Sequence, residues 1–276
     1  INYMNKRLPV LFLFLISFHF SSKSQCLSVN YTIAPSNADF KSILSATYAL
    51  SQRGVCGPVN FSLAAGTYKD YISIGTIPGS EIWPITFEGV KGNSGAVILT
   101  TSSASGPTIR LSNVINIHFN YVTVQSLKNE SAVAGSGERL GFNNCSFKGD
   151  FTNVWLTNPK GSLEFSHCTF NSPSGYGFYC TNSKNVIVSD NNFIDCYAYI
   201  SATNIDSLTI RNNVVNQTSY SSGKIVALTQ ISNLKFISNR FSSASSYSIT
   251  SATPVPVVEL KNITAGDNLF GNNIIT

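Results

Sequence analysis

One eight-residue pattern recurs beyond residue 116, and it leaves few folds open to this chain. The pattern is apolar, any, apolar, any, any, Asn or Cys, any, apolar. It reads at residues 117–124 (IHFNYVTV), 140–147 (LGFNNCSF), 163–170 (LEFSHCTF), 186–193 (VIVSDNNF), 208–215 (LTIRNNVV), 234–241 (LKFISNRF) and 263–270 (ITAGDNLF). The closing residues stand 23, 23, 23, 22, 26 and 29 positions apart. A fixed period of this length marks a solenoid, in which each repeat buries its apolar face only by stacking on a neighbour. The first and third places alternate as on a strand, the broken alternation before the sixth place marks a bend, and the eighth place turns inward again. The reading is therefore all-β: a single-stranded parallel β-helix of about 23 residues per coil, with coils ~4.8 Å apart.

The stacking predicts which residues share a row. Phe119, Phe142 and Phe165 fall in one interior row, and Phe147, Phe170 and Phe193 in another. The sixth place runs Val122, Cys145, Cys168, Asn191, Asn213, Asn239 and Asn268. Successive Asn at a tight bend predict a ladder in which each amide donates to the next coil. Cys145 and Cys168 read as stacked, buried free thiols, because one strand spacing exceeds the usual disulfide Cβ separation of ~3.8 Å. A second strand precedes each octet, aligning residues 154–157, 178–181, 200–203 and 226–229. Alternation sends Val154/Leu156, Phe178/Cys180, Ile200/Ala202 and Val226/Leu228 inward. Trp155, Tyr179, Ser201 and Ala227 face outward beside a row of Thr157, Thr181, Thr203 and Thr229.

The ends read differently. Lys6 and Arg7, then the apolar residues 8–16, then Ser22, Lys23 and Ser24 form a signal peptide over residues 1–24, with Met4 as the start. The apolar run to Phe20 spans 13 residues and holds Pro9 and His19, short of the roughly 18–20 that a membrane span needs. Removing the leader leaves 15 basic against 13 acidic residues, without the clustered Lys and Arg of a nucleic-acid binder. Residues 25–57 form an N-terminal strand and a capping helix. The stripe Phe40, Ile43, Leu44, Thr47 and Tyr48 is amphipathic, Asn37 or Asp39 is the N-cap, and Gly54 follows the end. The helix covers the edge that a stack of strands exposes. Export permits disulfides, and Cys26 with Cys56 forms a candidate clasp near the first coil. Residues 58–276 form the solenoid, which stops directly after a repeat and reads as truncated.

The octets, with Asn at the bend, resemble the repeat of pectin-lyase-like right-handed parallel β-helix proteins. Residues 57–61 (GPVNF) and 65–68 (AGTY) resemble the opening of many such solenoids. The whole N-terminal unit is similar to the start of secreted or surface β-helix proteins of the Bacteroidetes type. The resemblance implies the fold over roughly residues 30–276 and leaves activity open, because one superfold hosts many functions. Family members include polysaccharide lyases, glycosidases and pectin esterases, whose sites need carboxylates, usually with Arg, Lys or calcium. The outward positions of the aligned strands carry none of these charged residues. No catalytic motif carries over, no cofactor is indicated, and a calcium site is left open. The best titratable cluster is His167, Asp190, Asp195 and Arg211, although such surface sets are commonly ion pairs of little energetic worth. Trp155, Tyr179 and Tyr199 form an aromatic strip that either binds glycan or packs under long turns. The expectation is a secreted or cell-surface scaffold that binds polysaccharide or mediates adhesion. A carbohydrate-active lyase, hydrolase or esterase with its site in missing coils or near Asp190 and Arg211 is the alternative, and a structural spacer is the third.

Overall fold

The structure, a computed structural model, describes residues 25–102, 106–127, 129–149, 151–172, 174–217, 225–243, 258–264 and 267–275. The expected leader lies outside them. The chain is a parallel β-solenoid of about eight turns, with about 24 residues per turn and, among the described residues, one short α-helix. Each regular turn has three strand segments. The first two often run together, as in Tyr176–Ser189, Ala198–Arg211 and Val226–Ile237. The third is short, as in Ser146–Lys148, Thr169–Asn171 and Asn192–Ile194. Every segment pairs in parallel with its equivalents one turn away. Trp155, for example, pairs with Tyr179, Tyr179 with Ser201, and Ser201 with Ala227. This is the register expected from the sequence, and all eight residues assigned inward on those strands are buried.

The interior is built from like on like. Phe61, Phe87, Phe119, Phe142 and Phe165 stack with centroids 5.0–5.2 Å apart. Phe147, Phe170 and Phe193 stack at 4.9 and 4.5 Å. Offset aromatic pairs contribute about 1 kcal/mol each beyond the area they bury.

Two corners set the shape of each turn. The corner between first and second segments takes one residue in the left-handed region: Asn158, Asn182, Asn204 and Gln230. Their side chains form an exposed ladder, with Asn182 Nδ2 donating to Asn158 Oδ1 (2.6 Å) and Asn204 Nδ2 to Asn182 Oδ1 (2.7 Å). The corner between second and third segments does the same at Tyr121, Asn144, His167, Asp190, Asn212, Ser238 and Asn272. Asn, Asp and His tolerate that conformation better than most side chains, which explains most of this row.

Beside the second corner lies the buried ladder. Asn191 Nδ2 donates to Asn213 Oδ1, Asn213 Nδ2 to Asn239 Oδ1, and Asn239 Nδ2 to Asn273 Oδ1, each at 3.0 Å. Each Oδ1 also accepts the backbone N–H of the residue one turn before it, and Asn191 Oδ1 likewise takes Cys168 N. Each Nδ2 also reaches a carbonyl of the preceding turn, such as Phe165 O and Val188 O. Cys145 and Cys168 continue the column and aim their thiols at the equivalent carbonyls, Phe119 O and Phe142 O, both at 3.3 Å. Both are free and buried, as are Cys180 and Cys196.

The structure corrects the last repeat. Phe270 pairs with Phe236, not with Phe241, and Ile275 takes the place opposite Phe241. The seventh octet is therefore residues 268–275, five residues later than the sequence reading. Asn273, not Asn268, completes the buried column, while Asn268 Oδ1 accepts Leu234 N.

The helix ends where expected but starts later. It spans Ile43–Arg53, is N-capped by Ser42 with a reciprocal Ser42–Ser45 box, and ends at Gly54. Neither Asn37 nor Asp39 caps it; Asp39 instead accepts from Thr32 N and Thr32 Oγ1. Ile43, Ala46, Thr47 and Leu50 are buried, whereas Leu44 and Tyr48 are exposed. The disulfide Cys26–Cys56 ties the first strand to the strand after the helix.

Asn213→Ala is expected to lower unfolding free energy by on the order of 3 kcal/mol in denaturant titration, because it strands several buried partners. Asn182→Gly on the exposed ladder keeps its left-handed backbone and is expected to cost less than about 1 kcal/mol. Burial pushes the Cys180 and Cys196 thiols up to about 12. The folded form thus favours the protonated thiol. That contribution is complete below the ordinary thiol value of ~8.5 and is lost as pH rises toward 12. Cys180→Ala/Cys196→Ala is expected to flatten the alkaline limb of the stability–pH curve.

Candidate functional site

The outward face of the first strand segments carries one continuous row: Ser73, Arg110, Ala134, Trp155, Tyr179, Ser201, Ala227 and Glu259. Two places further along the same strands runs the row Thr157, Thr181, Thr203, Thr229 and Lys261. At the centre of this face the half-buried rings of Trp155 and Tyr179 lie 4.8 Å apart. Phe151, 39% exposed, stacks on Trp155 at 6.0 Å with 15° between planes, and Tyr176 sits 5.5 Å from Tyr179. Phe151 and Tyr176 were missed by counting strand positions alone. Phe151 precedes its strand and Tyr176 opens its own, and their signal was an aromatic residue within four positions of each outward ring.

Tyr199 departs from the expected strip and is fully buried. Tyr199 N and Ile200 N both bond to Ile225 O, at 3.0 and 3.2 Å. This local irregularity breaks the alternation and brings Tyr199 edge-on to Phe193 at 6.3 Å. Its hydroxyl is buried without a hydrogen-bond partner, and burial raises it above the ordinary phenol value. A glycan in solution has no access to this ring.

Charge enters the face at its two ends. Arg110 is held by Tyr71, Nε to the phenol oxygen at 2.5 Å. Glu259 lies four strand steps from Trp155 and pairs with Lys261 at 3.1 Å. Arg110 and Glu259 both lie outside the repeated strands 154–157 to 226–229 that the sequence periodicity marks.

The titratable set His167, Asp190, Asp195 and Arg211 is spread over two corners. His167 and Asp190 occupy the same left-handed corner one turn apart, and Asp190 Oδ1 accepts from Asn212 Nδ2 at 3.0 Å. Arg211 is exposed in the strand that pairs with Ser189. Asp195 lies beyond the third segment Asn192–Ile194, at a different corner.

A second group was not foreseen. On the outward face of the second segments, Thr86, His118, Gly141 and Glu164 lie in one row. A Cβ at Gly141 would collide with His118 Nδ1, so the imidazole leans over the bare glycine backbone toward Glu164. Its Nε2 bonds Asn116 Oδ1 at 3.2 Å. Burial pulls His118 below the ordinary histidine value, and the Glu164 charge opposes that in part. These residues line an open pocket of about 150 Å³ with Asn120, Asn143 and Ser166.

The geometry defines a parallel β-helix repeat protein with an aromatic and hydroxyl-bearing outer face. The chain belongs to the right-handed β-helix region family, whose pattern matches residues 107–273. No curated protein matches the sequence. Among solved structures, pectin methylesterase from Aspergillus niger is similar at TM-score 0.53 and 13% identity, covering 90% of this chain and 89% of that one. Rice weevil pectin methyl esterase is similar at TM-score 0.54 and 9% identity, covering 89% and 90%. The ybhc protein of Escherichia coli is similar at 0.51 and 10%, covering 96% and 87%. These likenesses show the shared fold.

Proton-detected titration of His118 is expected to give a midpoint below the model-peptide value of ~6.5. Glu164→Gln is expected to move it further down, because a neighbouring negative charge favours imidazolium.

Proposed function

We propose that this chain is an exported, extracellular or cell-surface β-helix that binds polysaccharide along its first-segment face. The observation that carries the reading is the contiguous cluster of Phe151, Trp155, Tyr179 and Tyr176 beside rows of Ser and Thr hydroxyls. Aromatic faces stack on the apolar faces of sugar rings, and hydroxyls exchange hydrogen bonds with theirs. The ~4.8 Å strand spacing repeats such contacts along the axis. The Cys26–Cys56 disulfide is consistent with an oxidising compartment, and the helix at residues 43–53 acts in this reading as the N-terminal cap. No helix among the described residues is long and apolar enough to cross a membrane.

Binding fits this face better than glycoside hydrolysis, which generally requires two carboxylates flanking the bond. Among the described strand positions of the face, Glu259 is the one carboxylate, and Lys261 pairs with it. Because pectin methylesterases share the fold, pectin is the first glycan to assay, followed by neutral plant and microbial polysaccharides.

In affinity electrophoresis or calorimetry with a bound polysaccharide, Trp155→Ala and Tyr179→Ala are each expected to weaken binding about tenfold or more, ~1.4 kcal/mol. Tyr199→Phe is expected to leave it unchanged. Undiminished binding by both Trp155→Ala and Tyr179→Ala would remove the aromatic face from the account.

A further inference from the structure

We propose that the pocket around His118 and Glu164 is a second saccharide subsite, one that holds vicinal hydroxyls of a neutral sugar. It lies on the second strand segments, a different face from the aromatic cluster, and does not depend on it.

The pocket's hydrogen-bonding inventory points to this ligand chemistry. Asn116 Oδ1 can only accept, so His118 Nε2 carries the proton and Nδ1 presents a lone pair on the side that leans over Gly141. Glu164 contributes two more acceptor oxygens, and Ser166 Oγ donates to one of them at 3.4 Å. Asn143 Oδ1 is taken by Asn144 Nδ2 at 2.7 Å, which leaves the Asn143 amide hydrogens as donors. Asn120 and Thr86 add groups of both kinds. The pocket thus combines acceptors on one side with amide donors alongside. A pair of adjacent hydroxyls, each able to donate and accept, matches that arrangement. At about 150 Å³ the space is well below a drug-sized site.

Charge narrows the class. Burial favours the neutral imidazole of His118, and the Glu164 charge opposes that only in part. Glu164 then leaves the pocket with a net negative charge, which disfavours uronates and favours neutral rings. The glycine between them is what opens the space. Any side chain at position 141 would displace the imidazole and fill the gap that the sugar enters.

The test follows the His118 Hε1–Cε1 resonance while methyl β-D-galactopyranoside, methyl α-D-mannopyranoside and a methyl galacturonide are titrated in turn. A saturable shift with at least one neutral glycoside is expected, with affinity for the uronide at least tenfold weaker. Glu164→Gln alters an exposed side chain and leaves the core intact; it is expected to weaken the neutral sugar at least tenfold. Gly141→Val is expected to abolish the response, and Trp155→Ala to retain it. Absence of a saturable shift with either neutral glycoside would overturn the proposal. So would full affinity in Glu164→Gln, or loss of the response in Trp155→Ala alone. Because the reporter sits in the pocket, failure here is distinguishable from failure of the aromatic face to bind polymer.

Discussion

The structure depends on keeping buried amides satisfied at a corner that every turn must make. A chain that bends sharply under a hydrophobic stack leaves backbone N–H and C=O groups away from water, each costly if unpaired. Each of Asn191, Asn213, Asn239 and Asn273 solves this with one side chain, whose Oδ1 accepts a backbone N–H of the preceding turn and whose Nδ2 donates to a carbonyl of that turn. Once the corner is fixed, strand register follows, and with it the phenylalanine columns and the inward or outward sense of every strand position. The thiols of Cys145 and Cys168 fill the same column with weaker donors, so the ladder is chemically softer toward the middle of the solenoid.

Much of this was legible in the sequence, because period and alternation are local signals that stacking only reinforces. The rows from Trp155 to Ala227 and from Thr157 to Thr229 came out in register, since their turn lengths are nearly constant. The last repeat did not. Residues 263–270 mimic the octet, with an Asn two places before a Phe. The true copy at 268–275 begins with Asn268, which no apolar pattern selects. Choosing between them needed the pairing partners of Phe236 and Phe241. Tyr199 failed for a related reason: an irregularity at Ile225 changes which face a residue occupies, and no composition signal announces it.

The candidate sites divide along the same line. Trp155 and Tyr179 were visible because their spacing equals the repeat. Arg110 and Glu259 join the face only through pairing with early and late turns that the repeat alignment did not reach. His118 and Glu164 are 46 positions apart, two turns, and they approach only because Gly141 carries no side chain between them. A lone His and a lone Glu in a strand carry no signal of their own. The information lay in the absence at position 141, and an absence has meaning only once the neighbours are known.

The outward side chains of the first strand segments take no part in the buried amide column or the phenylalanine stacks. Replacing Trp155, Ser201 or a row threonine therefore changes what the surface meets while leaving the scaffold almost untouched. In a repeat protein, where each turn interacts chiefly with its neighbours, this separation lets the outer face vary without disturbing the stack. The inner columns can stay nearly constant while the outer rows change. Low identity alongside a shared backbone path is then the natural outcome of such an architecture.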